Sequence, residues 1–333
     1  MRAKLSVLSC VVLLANLVLA AATVAAPPAG KVLRVGVLQG IAPTFDPTTN
    51  AWDHAFVDGL REHGYVIGRN VMLEYRSAAG QPERLPRLAA ELVALKPDVL
   101  IAGQTAALLA AKEATNTIPI VMVGGAEPVK TGVVASLAHP GGNVTGLAVN
   151  AAETSAKRVQ LLREAVPSIS RVAVLWNASF QSMALGFQEI EQAAPSLGVS
   201  VQSIRVSGSQ DLDQAFSAIA RGGAGGLIVL YGPMRGNDLP RVLEFVGRTR
   251  MPTIFEVGIG RGDGGFMAFG PSFAKMARRA GAYIDKIANG ARPGDLPVEE
   301  PREFELVINL KAAKELGLTL PPSLLFRADR VIE

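Results

Sequence analysis

This 333-residue chain has one cysteine, Cys10, and three histidines, His54, His63 and His139, so it is poor in the side chains most often used as metal ligands and thiol nucleophiles. Cys10 lies inside a leading apolar segment, and a chain cleaved after that segment has no disulfide, thiolate metal site or cysteine nucleophile. No two histidines have metal-ligand spacing; they read as helix surface, helix end and loop. A GxSxG nucleophile elbow, a GxxxxGKS phosphate loop and a paired-carboxylate signature are all missing, so catalysis has no motif to rest on. Neither sign of charge dominates. The net is +4, which gives no footprint for nucleic acid.

Long apolar runs are also scarce, although 49% of the residues are apolar. Beyond the N-terminus none approaches the roughly 18 residues that span a bilayer. At the start, Arg2 and Lys4 precede an uncharged stretch with the apolar core VVLLANLVLA (Val11 to Ala20) and small residues at Ala21 to Ala26. This is the pattern of a cleavable signal peptide over residues 1–26, with an uncleaved anchor as the alternative. Too little apolar chain precedes Cys10 for it to be a lipoprotein acceptor. The expectation is an exported, periplasmic protein.

The rest of the chain contains one α/β order written twice. The strand-like RVGVLQG (Arg34 to Gly40) is answered by RVAVLWN (Arg171 to Asn177), and VMLEYRS by VQSIRVS. PDVLIAG (Pro97 to Gly103) is answered by GGLIVLYG (Gly225 to Gly232), and IPIVMVGG (Ile118 to Gly125) by MPTIFEVG (Met251 to Gly258). Short apolar strands alternating with helical patterns predict parallel sheets covered on both faces, hence two Rossmann-like lobes. A length of about 150 residues per domain agrees.

In such sheets ligands bind beyond the carboxyl ends of the strands. The first-lobe candidates are Gln39, Gly40, Phe45 and Asp46 after the first strand, Gln104 and Thr105 after the third, and Gly125 and Ala126 after the fourth. Thr105 stands where a hydroxyl would accompany free helix N–H groups, a setting suited to a carboxylate; capping its own helix is the compatible alternative. The second-lobe candidates are Asn177, Phe180, Tyr231 and Glu256, with Trp176 divided between ligand wall and core. Glu256 suits an ammonium group or an inter-lobe salt bridge, and Asp46 has the same ambiguity. Gly260, Gly262 and Gly265 match GxGxxG, but the strand FMAFG follows where a dinucleotide fingerprint needs a helix. The plainer reading is a glycine-rich loop, with no cofactor and no metal.

Five stretches, GLREHGYVIGRNVMLEYR, RLPRLAAELVALKPDVLIA, TNTIPIVMV, EPVKTGVVASLAHPGGNVTG and FELVINLKAAKELGLTLPPSLLFRADRVIE, resemble the ABC transporter substrate-binding family related to tryptophan- and phenylalanine-binding proteins. WNASF, at Trp176 to Phe180, departs from the asparagine- and proline-rich pattern of many relatives. The resemblance implies a type I periplasmic-binding fold whose lobes, joined by a three-strand hinge, close on a small molecule. It also implies a swap, with residues 32–148 and 271–294 in the first lobe and 149–270 and 295–333 in the second. The implied role is a monomeric receptor, not an enzyme, that binds an amino acid or related compound and delivers it to an ABC permease with its ATPase subunit. Alternatives of other classes are an extracytoplasmic sensor module and an exported two-lobed enzyme using Asp46 or Glu256. A transcription regulator would need a DNA-reading head, for which residues 1–31 offer only an export signal.

Overall fold

The computed structural model describes residues 32–230, 238–256, 265–301 and 303–333. The expected signal peptide (residues 1–26), Tyr231, Gly260 and Gly262 therefore lie outside the described residues. Among the described residues no helix is long and apolar enough to cross a membrane.

The first sheet contains β1 (Leu33–Gln39), β2 (Val71–Ser77), β3 (Val99–Gly103), β4 (Ile120–Ala126) and β5 (Val144–Val149), in the order β2-β1-β3-β4-β5. All its neighbours are parallel. The second contains β6 (Arg171–Asn177), β7 (Ser200–Val206), β8 (Gly226–Leu230), β9 (Thr253–Phe255), β10 (Met267–Pro271), β11 (Phe304–Asn309) and β12 (Arg330–Ile332). Its order is β12-β11-β10-β9-β8-β6-β7, with β11 antiparallel to β10 and the other pairs parallel. The α/β fold with two lobes is thus as the sequence predicts. Strands β3, β4, β5 and β8 are buried along their whole length, as expected where helices cover both faces. The two polar-alternating segments, β2 and β7, are the equivalent edge strands of the two sheets. Gly265 leads into β10, so a strand stands where a dinucleotide site would need a helix.

The longer helices are α1 (Ala51–Glu62), α2 (Leu85–Ala94), α3 (Gln104–Ala114), α4 (Ala151–Ala165), α5 (Gln181–Ala193), α6 (Leu212–Arg221), α7 (Asp238–Thr249) and α8 (Phe273–Ala288). Two short ones, α9 (Leu310–Glu315) and α10 (Pro322–Phe326), flank the C-terminal strands. Each sheet face has its own core. Phe56, Leu60, Ala277 and Tyr283 from α1 and α8 cover one face of the first sheet, and Leu88, Leu92 and Leu108 from α2 and α3 cover the other. In the second sheet Leu162, Phe187 and Ile190 from α4 and α5 form one core, and Leu212, Ile219, Val242 and Phe245 from α6 and α7 the other.

The chain passes between the two sheets and exchanges helices as it does so. After β5 it enters α4, which packs on α5, the helix that follows the first strand of the second sheet. After β10 it enters α8, which packs on α1, the helix that follows the first strand of the first sheet. The exchange is reciprocal. The segment after α8 stays with the first sheet: Thr145 Oγ1 donates to Leu296 O (2.7 Å), Tyr283 Oη to Pro297 O (2.7 Å) and Ala148 N to Glu299 O (2.9 Å). This segment covers the otherwise open edge of β5. Beyond Glu299 the chain continues into β11 of the second sheet.

Helices α1 and α8 touch through backbone. A Cβ on Gly281 would come within 2.2 Å of Gly59 O, and one on Gly59 within 2.0 Å of Arg278 O. Only glycine permits this approach.

Candidate functional site

A cavity of about 340 Å³ lies between the two sheets, at the carboxyl ends of their strands. Its size is at the small end of ligand pockets.

Gln39 and Gly40, at the end of β1, meet Gln104 at the start of α3. The Gln39 amide lies over Gly103, and Gln104 Oε1 lies 2.8 Å from where a Gly40 Cβ would be. Gln104 itself takes φ 70°, unusual for a residue with a side chain. Thr105 is not the helix cap. Gly103 holds that position with no side-chain cap, and Thr105 Oγ1 accepts the Ala126 N–H at 2.9 Å, tying the start of α3 to the end of β4. Gln39, Gly40, Gln104, Thr105 and Ala126 all line the cavity.

The wall beside them comes from residues that the strand-end rule missed. Asn50 caps α1, accepting from Trp52 N and Asp53 N, and so turns Trp52 and Asp53 toward the cavity. Trp52 stacks on Phe56 with centroids 5.3 Å apart. Asp53 is 1% exposed; its Oδ2 accepts the Asp46 N–H at 2.8 Å, and burial pushes its carboxyl up from its ordinary value. Phe273, at the start of α8, and Leu85 and Val123 complete the apolar surface. At Gly124 (φ 86°) the β4–β5 register shifts, and an added Cβ would sit 2.7 Å from the Phe273 ring. This glycine lines the cavity, whereas Gly125, named from sequence, faces Leu108 and Met122.

The second lobe contributes Phe180, the cap residue of α5, and Glu256, just after β9. It also contributes Thr154, Ser155 and Arg158 from α4. Arg158 is 3% exposed, its Nε donates to Phe269 O at 2.9 Å, and its Nη2 lies 3.8 Å from Glu256 Oε1. Burial pushes this guanidinium down from its ordinary value, and the Glu256 charge opposes that. Glu256 thus pairs with a residue of its own lobe, which corrects the inter-lobe bridge considered from sequence.

Phe45, Asp46 and Asn177 lie off the cavity wall. Phe45 packs on Tyr75, with centroids 5.8 Å apart. Asp46 accepts hydrogen bonds from Thr48 and Thr49. Asn177 Oδ1 accepts the Ser179 N–H at 2.9 Å, closing the loop after β6. Trp176 stacks on Phe187 and donates to Ser203 Oγ, so the core reading is the one that the structure bears out. The sequence signal that was missed is the polar run TSAKR at Thr154 to Arg158, which reads as a solvated helix face until the chain passage places it in the cleft.

Two Rossmann-like lobes with exchanged helices around one cleft define a type I periplasmic-binding fold. The chain belongs to the ABC transporter substrate binding protein family, whose model matches residues 35–332. It is similar to a tyrosine-binding protein of Clostridioides difficile (strain R20291), 26% identical over 82% of this chain and 78% of that protein. A conserved domain protein of Vibrio cholerae superimposes with a TM-score of 0.82 at 27% identity, over 90% of this chain and 100% of that one. The complex of a Streptococcus pneumoniae ABC domain with L-tryptophan gives 0.79 at 24% identity, with the same coverage.

Proposed function

We propose that this protein is an exported, monomeric receptor that binds an amino acid with an aromatic side chain in the inter-lobe cleft. It delivers that molecule unchanged to a membrane permease powered by an ATPase subunit. The observation that carries the reading is the composition of the cleft. Trp52, Leu85, Val123 and Phe273 offer an apolar wall large enough for a ring, while Asp53, Arg158 and Glu256 offer charges of both signs for a zwitterion. Relatives that bind tyrosine and tryptophan support the same class of ligand.

Delivery requires that ligand favour one arrangement of the lobes, which in turn requires higher affinity for the closed form. Contacts drawn from both lobes meet that requirement. In this reading the lobes are residues 32–148 with 271–294, and 149–270 with 295–333, and the start of that last segment crosses over the first sheet as far as Glu299 before it joins the second.

Pools of the twenty amino acids, added to purified protein, test the reading by calorimetry and small-angle scattering. The expected result is compaction and a thermal shift with the aromatic pool, since ligand at 100 times its Kd stabilises by about 2.7 kcal/mol. Absence of both effects with every pool would refute it. A neighbouring gene pair for a permease and an ATPase is expected; a signalling protein there would favour a sensor.

A further inference from the structure

The geometry points to Arg158 as the anchor for the ligand's carboxylate, so that the second lobe holds the head group and the first lobe the side chain. This rests on the reading of the cleft as an amino-acid site and adds an orientation and a ligand requirement to it.

A buried guanidinium is costly unless its donors find acceptors. Arg158 has five N–H donors, and among the described residues only Nε–H has an acceptor within hydrogen-bond distance, Phe269 O at 2.9 Å. The Glu256 oxygen, at 3.8 Å from Nη2, balances charge but is too distant for a hydrogen bond. The outer edge of the guanidinium, which can grip a carboxylate through two parallel bonds, is therefore available in the cavity that Arg158 lines.

The competing position is the amino end of α3, beside Gln104 and Thr105. A helix end acts as roughly half an elementary charge. Arg158 carries a whole one in a site that already excludes solvent. Glu256, close to Arg158 but not hydrogen-bonded to it, then faces the ammonium group on the neighbouring carbon. The ring is left to Trp52, Leu85, Val123 and Phe273 on the opposite wall.

Calorimetry with L-tyrosine, L-tryptophan, their carboxamides and the matching 3-aryl-propionates tests this on wild type, Arg158→Gln and Arg158→Lys, with circular dichroism reporting the fold. In wild type the carboxamides should bind roughly 100-fold more weakly than the acids, the scale for losing one partner of a desolvated charge pair. Arg158→Gln should lose about the same factor for the acids but under about threefold for the carboxamides, because the contact is already missing there. Arg158→Lys should fall between, since a point charge cannot fork. Equal affinity of acid and carboxamide in wild type would overturn the inference, whatever the variants do. So would a similar loss for both ligand series in Arg158→Gln, which would make Arg158 a structural prop. If wild type binds aryl-propionates through Arg158 but no amino acid, the carboxylate anchor stands and the amino-acid reading falls. If no carboxylate of either series binds, both fall.

Discussion

In the first lobe α1 and α8 meet backbone to backbone, at Gly59 and Gly281, whereas in the second the equivalent pair, α5 and α4, meets at Gly186 against the Ser155 hydroxyl. Both pairs join the helix after a lobe's first strand to a helix delivered from the other lobe. The wider contact leaves α4 room for polar side chains at the cleft, and Thr154, Ser155 and Arg158 occupy it. The tighter contact gives α8 a different role, as a clamp whose first residue, Phe273, adds apolar surface. One fold, used twice, thus lines one side of the cleft chiefly with apolar packing and the other with polar and charged side chains of α4.

The largest effect should come from breaking the tight contact. Gly281→Ala gains about 1 kcal/mol of helix propensity. Its methyl group, however, would sit 2.2 Å from the Gly59 carbonyl, where no side chain can rotate away. Overpacking of this kind should leave a net loss of about 3 kcal/mol, read as a lower urea midpoint at unchanged slope. A variant as stable as wild type would show that the helices do not cross at these glycines.

Next comes the rim of the first lobe, which Thr105 locks to β4 as Asn177 locks the loop after β6. Thr105→Val keeps the shape and leaves the buried Ala126 N–H without its acceptor. The expected cost is about 2 kcal/mol in urea unfolding, within the range for an orphaned buried donor. Faster hydrogen exchange at Ala126 should accompany it, and unchanged exchange would remove Thr105 from this role.

A smaller change sharpens the contrast between the helix pairs. At Gly186 an added Cβ would lie 2.9 Å from Ser155 Oγ, a side-chain atom that can turn aside. Propensity and crowding then nearly cancel, and Gly186→Ala should alter stability by less than about 1 kcal/mol. A loss as large as that at Gly281 would mean that both crossings are equally tight.

The strands were legible because a parallel sheet covered on both faces needs continuous apolar runs, and PDVLIAG and IPIVMVGG can hardly be read otherwise. Half of the cleft was legible for the same reason: Gln39, Gln104 and Ala126 are where strands end. Arg158 was not, because its meaning depends on Glu256 and Phe269, roughly a hundred residues away, and on a chain passage that periodicity does not encode. Phe45, Asp46 and Asn177 were drawn in because aromatic rings and the side chains that bind ligands also pack and cap loops. Position in the sequence does not separate the two uses; the partner of each side chain does.

The smallest effect concerns two neighbouring aspartates of the first lobe, joined by the Asp46 N–H to the Asp53 carboxylate, whose carboxyl groups are shifted in opposite directions. Asp46 accepts from Thr48 N at 2.9 Å, Thr48 Oγ1 at 2.6 Å and Thr49 Oγ1 at 2.7 Å, and these bonds hold its pKa down at about 2 against an ordinary value of 3.8. Asp53 receives the Asp46 N–H but is pushed up, chiefly by burial. The turn's contribution from Asp46 is complete above 3.8 and fades as pH falls toward about 2. Asp53 has the opposite sign: its ionised form is the less favoured one in the folded state, and acidification through its raised pKa relieves that cost. Carboxyl carbon NMR on acidification should show Asp53 protonating first and Asp46 last, while Asp46→Asn should abolish the low-pH loss of exchange protection at Thr48. If the order is reversed, or both carboxyls titrate together, then burial and the threonine hydroxyls do not divide this rim into a dry carboxyl and a capped one. The charge available to a ligand on the first-lobe wall would then have to be reassigned.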